Sequence, residues 1–260
     1  KDPQSMSDYR PISLSNVVSR VVSNVFSNRV KCILPYIISD AQSAFVPDRL
    51  ITDNTAVAYE MLHRLRNRRK GRVGHMAVKL DISKAYDRVK WEFLRKIMLK
   101  MGFSARWVGL TMQCVSSASY TVLINGEPRG FTSLTRGLKQ GDPLSPDLFL
   151  FCVEGLSALL WKAIETQQLQ GIKSCRNRVN VSHLLFADDS LLFCPAAPIE
   201  CTRLLNILAA YEQASGQAIN RQKTALFFSP NIEPRLREDI RAMFDAQVVT
   251  EFEKYLGLPM

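Results

Sequence analysis

The segment Leu184-Leu-Phe-Ala-Asp-Asp-Ser-Leu-Leu-Phe193 constrains this chain more than any other. Its two runs of leucine and phenylalanine read as strands packed into a core, with Ala187, Asp188 and Asp189 between them. Asp favours turns, so an Ala-Asp-Asp-Ser turn has a plain structural reading. Two adjacent carboxylates at the lip of a buried hairpin nevertheless repel each other and require a compensating cation. A second apolar run, Met76-Ala-Val-Lys-Leu-Asp-Ile82, also carries an acid near its end, Asp81. Carboxylates converging from adjacent strand ends can chelate a pair of Mg²⁺ ions, an arrangement suited to in-line phosphoryl transfer.

The chain has 260 residues, 47% of them apolar and 22% charged, which excludes disorder as the dominant state. That length fits one large body or a large domain with an attached subdomain. No run of apolar residues is long enough to span a membrane. The net charge of +10 favours a polyanionic partner, because each neutralised phosphate releases counterions. The six cysteines are scattered without a C-x-x-C pair, so they read as small core residues in a reducing compartment rather than a zinc site or disulfide framework. The chain starts at Lys1 without a recognisable signal peptide and stops abruptly at Met260, so an excerpt from a longer polypeptide is expected.

Helical spacing predicts an amphipathic helix over Asn16–Leu34, its apolar face made of Val17, Val18, Val21, Val22, Val25, Phe26, Val30 and Ile33, stopped by Pro35. A second helix is expected from Asp53 to about Arg66, capped by Thr52 or Asp53. It runs into His63–Arg72, where six of ten residues are Arg or Lys. That run is either a solvated loop or a phosphate-contacting or nuclear-targeting patch, centred on Arg68, Arg69 and Lys70. Further helices are expected over Trp91–Met101, Arg106–Val115, Leu144–Gln168, Ile199–Ala214 and Arg235–Phe244. Strands are expected at Tyr120–Ile124 before an Asn125-Gly126 hairpin turn, at Val179–Phe186, Ser190–Phe193, Ala225–Phe228 and Phe252–Leu256. The order of these elements suggests an α+β domain with an antiparallel sheet.

Six segments, in order, carry a family resemblance. Lys79-Leu-Asp-Ile-Ser-Lys-Ala-Tyr-Asp-Arg-Val-Lys-Trp91 resembles motif A of reverse transcriptases. Arg136-Gly-Leu-Lys-Gln-Gly-Asp-Pro-Leu-Ser-Pro146 resembles motif B, and Phe186-Ala-Asp-Asp189 resembles motif C, with Phe in place of the commoner Tyr. Tyr9-Arg-Pro-Ile-Ser-Leu14 and Gln42-Ser-Ala-Phe-Val-Pro-Asp-Arg49 are similar to finger motifs of the LINE-type, non-LTR retrotransposon branch, and Lys254-Tyr-Leu-Gly257 to its primer-grip segment. The wording of the motifs is nearest the plant LINE group.

The resemblance implies a right-hand polymerase fold: helical fingers over residues 1–75 and, over 76–260, a palm whose antiparallel sheet is backed by helices, the thumb being absent. It implies that Asp81 and Asp188 bind two Mg²⁺ ions, with Mn²⁺ as a possible substitute, that Asp189 supports them, and that the Ile82 carbonyl is an extra ligand. Asp87 reads instead as a helix-start or salt-bridge acid. Tyr86 falls where the family keeps an aromatic ring beneath the incoming sugar; by itself it reads as an ordinary packed tyrosine. Gly137, Gln140 and Gly141 fall in a nucleotide and template grip, the competing reading being a plain loop entering a helix. Arg10 matches the finger arginine that contacts the triphosphate. Lys223 is either a solvated lysine or the group that protonates leaving pyrophosphate. Tyr255, Leu256 and Gly257 are implied to touch the primer.

By the same resemblance, the partners are an RNA template, a DNA primer and dNTPs, with an endonuclease upstream and a thumb downstream in one polyprotein. It also implies action on nuclear target DNA, hence a nuclear and cytoplasmic protein that is not secreted. The rivals are a non-catalytic nucleic-acid-binding relic, an RNA-dependent RNA polymerase, and a two-metal nuclease. Intact Asp81, Asp188 and Asp189 argue against the first, Tyr86 against the second and the Gln140 loop against the third.

Overall fold

The computed structural model describes residues 13, 15–116, 119–174, 179–250, 252 and 254–259. Three helices come first: α1 (Val17–Lys31), α2 (Leu34–Ile37) and α3 (Ile51–Asn67). The strand β1 (His75–Leu80) follows, then α4 (Ala85–Arg88), α5 (Trp91–Lys100), α6 (Ala105–Ser116) and a hairpin of β2 (Ser119–Ile124) and β3 (Glu127–Ser133). The second half holds α7 (Ser145–Glu165), β4 (Ile172–Lys173), β5 (Asn180–Val181), β6 (His183–Phe186), β7 (Asp189–Pro195), α8 (Pro198–Ser215) and β8 (Ala225–Phe228). It closes with α9 (Pro234–Phe244), β9 (Gln247–Val249), β10 (Lys254–Tyr255) and β11 (Leu258–Pro259).

Five strands form one sheet in the order β6-β7-β1-β8-β9. All its pairings are antiparallel except the outer β8–β9 pair, which is parallel. The expected antiparallel sheet is therefore mixed at one edge. Alternation along β1 assigns its two faces. Met76, Val78 and Leu80 join Leu192, Cys194, Leu226 and Phe228 against Leu156 and Leu160 of α7, Leu204 and Leu208 of α8, and Ile240 of α9. Ala77, with Leu191, Phe193 and Phe227, meets Met61, Leu62 and Leu65 of α3, together with Phe252 and Tyr255. Each such side chain contributes about 1.5–3 kcal/mol when fully removed from water.

α7 is the central helix. Phe149, Leu150, Phe151 and Cys152 are all fully buried, so it is apolar on every side at that level. A third cluster gathers it with Val30 of α1, Leu94 and Met98 of α5 and Val108 of α6.

Several sequence expectations need correction. The valine row predicted as the buried face of α1 points outward: Val17 is 79% and Val18 73% exposed, and Val21, Val22 and Val25 are exposed too. The helix instead buries Ser23, Ser27 and Val30. Ser23 Oγ donates to Asp142 Oδ2 at 2.9 Å and Ser27 Oγ to Asp147 Oδ2 at 2.6 Å, so hydrogen bonds to acids of a distant segment chose the inner face. Pro35 does not end a helix but sits in the first turn of α2. α3 starts at Ile51 after Leu50, without a side-chain cap. The last predicted strand shrinks to Lys254–Tyr255, paired with β11, and β9 was not foreseen. Cys152, Cys194 and Cys201 are buried free thiols as expected, whereas Cys32 is exposed. No helix among the described residues is long and apolar enough to cross a membrane.

Candidate active site

β1 pairs with β7 in a register that ends at Leu80 opposite Ser190. One residue further on, Asp81 and Asp189 face each other at the strand ends. Strands β6 and β7 close at Phe186 opposite Asp189, leaving Ala187 and Asp188 as a two-residue turn. Ala187 adopts φ +54°, a conformation that L side chains rarely take and that tight hairpin turns require. The sheet register thus brings Asp81 beside Asp189, with Asp188 in the adjoining turn.

Their electrostatics agree with that placement. Burial pushes the Asp189 carboxyl above its ordinary range; Lys79 pulls it down, while Asp188 and Asp81 push it up again. Asp81 and Asp189 line a cavity of about 700 Å³ together with Lys79, Lys223, Val248, Val249, Thr250 and Phe252. Lys223 is exposed, in the turn that precedes β8; its backbone N–H donates to the carbonyl and side-chain oxygens of Asn220. Asn220 N–H in turn donates to the Asp81 carbonyl at 2.8 Å, and Ser83 N–H to the Ala218 carbonyl at 2.9 Å. Ile82 pairs with Ile219 between these two bonds.

Three aspartate carboxylates without thiol or imidazole company are hard oxygen donors, the donor chemistry of Mg²⁺ rather than Zn²⁺. Among the described residues no three acidic, His or Cys side chains form a ready-made cage. Mg²⁺ fits that openness, because it is usually held by one or two carboxylates, with substrate phosphates and water completing its shell.

Tyr86, on α4, stacks on Phe149 with ring centroids 4.7 Å apart and planes 16° from parallel. Burial pushes its hydroxyl up to about 12, with further pushes from Asp188 and Asp147. The ring therefore stands within electrostatic reach of the Asp188 turn, its back fixed by α7. Asp87 turns away from the carboxylates: its Oδ1 accepts from the Gln140 amide at 3.3 Å. Asp87 lies in the first turn of α4, in keeping with the helix-start reading, and the Gln140 side chain is engaged by the protein. Gly137, at φ +94°, leaves room for the backbone of α4, since a Cβ there would lie 2.9 Å from the Asp87 carbonyl oxygen. Gly141 also has positive φ, +96°.

Tyr255 departs from expectation most. It is 1% exposed, its hydroxyl donates to Asn54 Oδ1 at 3.0 Å, and burial followed by Asp189 raises its pKa. Only the following turn, Leu256 at φ +51° and Gly257 at φ +82°, reaches the surface. Arg68, Arg69 and Lys70 lie just before the opposite end of β1 from Asp81, about 20 Å away for a six-residue strand. Arg69 and Lys70 are exposed, but Arg68 Nε donates to the Val73 carbonyl and braces its own loop. Arg10 lies outside the described residues.

Sequence reasoning missed Asp142 and Asp147, the buried acids that hold α1. Burial pushes Asp147 up to about 6, against the pulls of Ser27 and Lys31. Their partners, Ser23 and Ser27, are more than a hundred residues away, and no local pattern marks them. Arg49, the last residue of the second finger motif, turns its guanidinium to the protein and donates to the carbonyls of Ile38, Ser39 and Gln42.

The family model described as reverse transcriptase (RNA-dependent DNA polymerase) matches residues 1–260. The chain belongs to the reverse transcriptase family. A Xenopus laevis protein of transposon TX1 is 29% identical over 259 residues, 99% of this chain and 19% of that protein. A Pol polyprotein of the R2 retrotransposable element of Popillia japonica is 24% identical over 224 residues, 86% of this chain and 30% of that protein. An uncharacterized mitochondrial protein of Arabidopsis thaliana is 52% identical over 68 residues, 26% of this chain and 56% of that protein. The chain thus spans about a fifth to just over half of these relatives' lengths. Its fold matches the telomerase of Candida albicans, solved with a fragment of telomeric RNA: the TM-score is 0.54 at 13% identity, covering 84% of this chain and 35% of the telomerase.

Proposed function

We propose that this reverse transcriptase domain extends a DNA primer along an RNA template, with its reaction centre at Asp81, Asp188 and Asp189. The observation that carries this reading is the β1–β7 register, which sets Asp81 opposite Asp189 beside the Asp188 turn and a cavity large enough for a nucleotide. Asp81 and Asp188, with Asp189 and the Ile82 carbonyl, would hold two Mg²⁺ ions, with Mn²⁺ as substitute. When bound, these would acidify the primer 3′-hydroxyl and neutralise charge on the transferring phosphate.

The chain's own residues do the rest. Tyr86, braced by Phe149, presents a flat ring that leaves no volume for a 2′-hydroxyl. Lys223, on the cavity wall beside Asp81, is placed to give a proton or a positive charge to departing pyrophosphate. Arg10 offers a bidentate guanidinium to the triphosphate. Gly141 and the Gln140 backbone shape the floor of the nucleotide site, and the Gln140 amide reaches a base or sugar edge only by leaving Asp87. Leu256 and Gly257 supply the primer contact while Tyr255 anchors their hairpin. Arg69 and Lys70 hold phosphates at a distance from the reaction, with Arg68 shaping their loop.

Residues 1–75 form the fingers and 76–260 the palm in this reading, supported by a sheet whose five strands all lie from His75 onward. The longer protein adds an endonuclease upstream and a thumb downstream, and works on nuclear DNA after synthesis in the cytoplasm. The Arabidopsis likeness supports the plant LINE group. Purified full-length protein should incorporate dNTPs on an RNA template with Mg²⁺ at least tenfold faster than rNTPs. Preference for rNTPs would establish the RNA-polymerase alternative instead.

A further inference from the structure

The catalytic turn is not held by its own hairpin alone. Residues Ala41–Ser43, between α2 and α3, lie along the outer edge of β6. Leu185 N–H donates to the Ala41 carbonyl at 2.7 Å, Ser43 N–H donates to the Leu185 carbonyl at 3.1 Å, and Gln42 pairs with Leu185 in parallel. From this edge the Gln42 side chain, only 1% exposed, reaches the turn itself. Its Oε1 accepts from Ala44 N–H at 2.9 Å and from Ala187 N–H at 3.2 Å. Ala187 is the residue held at φ +54° immediately before Asp188.

We propose that Gln42 is a positioning residue for the polymerase reaction, clamping the Ala187 amide so that Asp188 keeps its place beside Asp81 and Asp189. Three features support this. The clamp is braced from behind: Arg49 holds the Gln42 carbonyl at 2.6 Å, and Asn54 Nδ2 donates to the Leu185 carbonyl at 3.0 Å while Tyr255 holds Asn54. A non-glycine residue at positive φ is strained and persists only where its surroundings over-determine it. Finally, Gln42 Nε2 is buried without a partner among the described residues. A buried donor left orphaned destabilises the fold, so packing alone would favour an apolar residue here. Glutamate would supply the same acceptor without an orphaned donor, but would add a fourth negative charge beside the aspartates. A neutral acceptor is what the turn requires.

The inference rests on the polymerase reading, and its test separates the two. Amide hydrogen exchange on the full-length protein should show Ala187 protected at least 100-fold relative to an unstructured amide. An unprotected Ala187 would overturn the clamp whether or not any variant folds. In Gln42→Met, which keeps the volume and loses the acceptor, Ala187 exchange should rise at least tenfold while the amides of β7 beyond Ser190 stay protected. kcat for RNA-templated dNTP incorporation should fall at least tenfold, with the KM for dNTP within twofold of the parent value. Faster exchange with unchanged kcat would overturn the positioning role, as would exchange rising equally across β7. Gln42→Glu keeps the acceptor and should hold Ala187 protection within threefold; its loss there would also overturn the proposal. Absence of incorporation by the unmutated protein would count against the polymerase reading alone, since the exchange measurement does not depend on turnover.

Discussion

The two ends of β1 differ as sharply as any two parts of this molecule. At its start, His75 is pushed down to about 4 by burial and then by Arg68 and Arg64, while Arg69, Lys70 and Arg72 stand exposed in the adjoining loop. At its other end, some six residues on, the chain gathers Asp81, Asp189 and the Asp188 turn. The net charge of +10 therefore says little about where chemistry happens: the proposed reaction centre is the acidic end of a basic chain. Charge excess describes what the surface attracts, and a local gathering of carboxylates describes where metal ions would bind.

The strongest way to break this comparison is at the acidic end. Asp188→Asn in the full-length protein should lower RNA-templated incorporation about 10³-fold or more, roughly 4 kcal/mol of transition-state stabilisation. Asp87→Ala should leave most of it, because Asp87 faces Gln140. Equal losses in single-turnover assays would dissolve the distinction drawn between them. A smaller effect sharpens the acidic end from within: Tyr86→Ala should raise rNTP incorporation relative to dNTP at least tenfold, about 1.4 kcal/mol, with a lesser fall in dNTP rate. Unchanged selectivity would reduce Tyr86 to a ring packed on Phe149. The mildest effect belongs to the basic end. Arg69, Lys70 and Arg72 replaced together by Gln should make the log–log salt slope of RNA–DNA hybrid binding shallower by about 2–3 units, with kcat unaltered. Arg68 is spared in that variant because it supports the loop. An unaltered slope would leave the run a solvated loop.

Helix positions were legible wherever a run of apolar spacing was long. Trp91–Lys100, Pro198–Ser215 and Pro234–Phe244 fall within a residue of expectation. So were the aspartates, because an acid closing an apolar strand is a local contradiction visible in one segment. The facing of α1 was not legible. Five valines at helical spacing state that a face is apolar, not that anything covers it, and the serines opposite gain more by bonding buried aspartates. Gly137 and Tyr255 were misplaced for a related reason. Motif likeness says which residues surround a site, but whether a side chain faces the cavity or the core depends on contacts such as Asp87 with Gly137 and Asn54 with Tyr255. β9 escaped notice because three residues carry too little pattern to mark a strand.

The central place of β1 has a consequence for how the chain is made. Its two neighbours, β7 and β8, lie more than a hundred residues downstream, and the Ala41–Ser43 edge waits still longer for Leu185. During synthesis at about 5–20 residues per second, Met76, Val78 and Leu80 therefore leave the ribosome many seconds before any strand that can pair with them. Until then the emerging chain can complete only nearby contacts, such as that of α5 with α6. Such non-local pairing is slow to form, because the loop-closure entropy must be met before the contacts reward it. The proposed reaction centre is thus among the last parts to assemble, and the nascent protein spends its early life as helices and one local hairpin, without the five-stranded sheet.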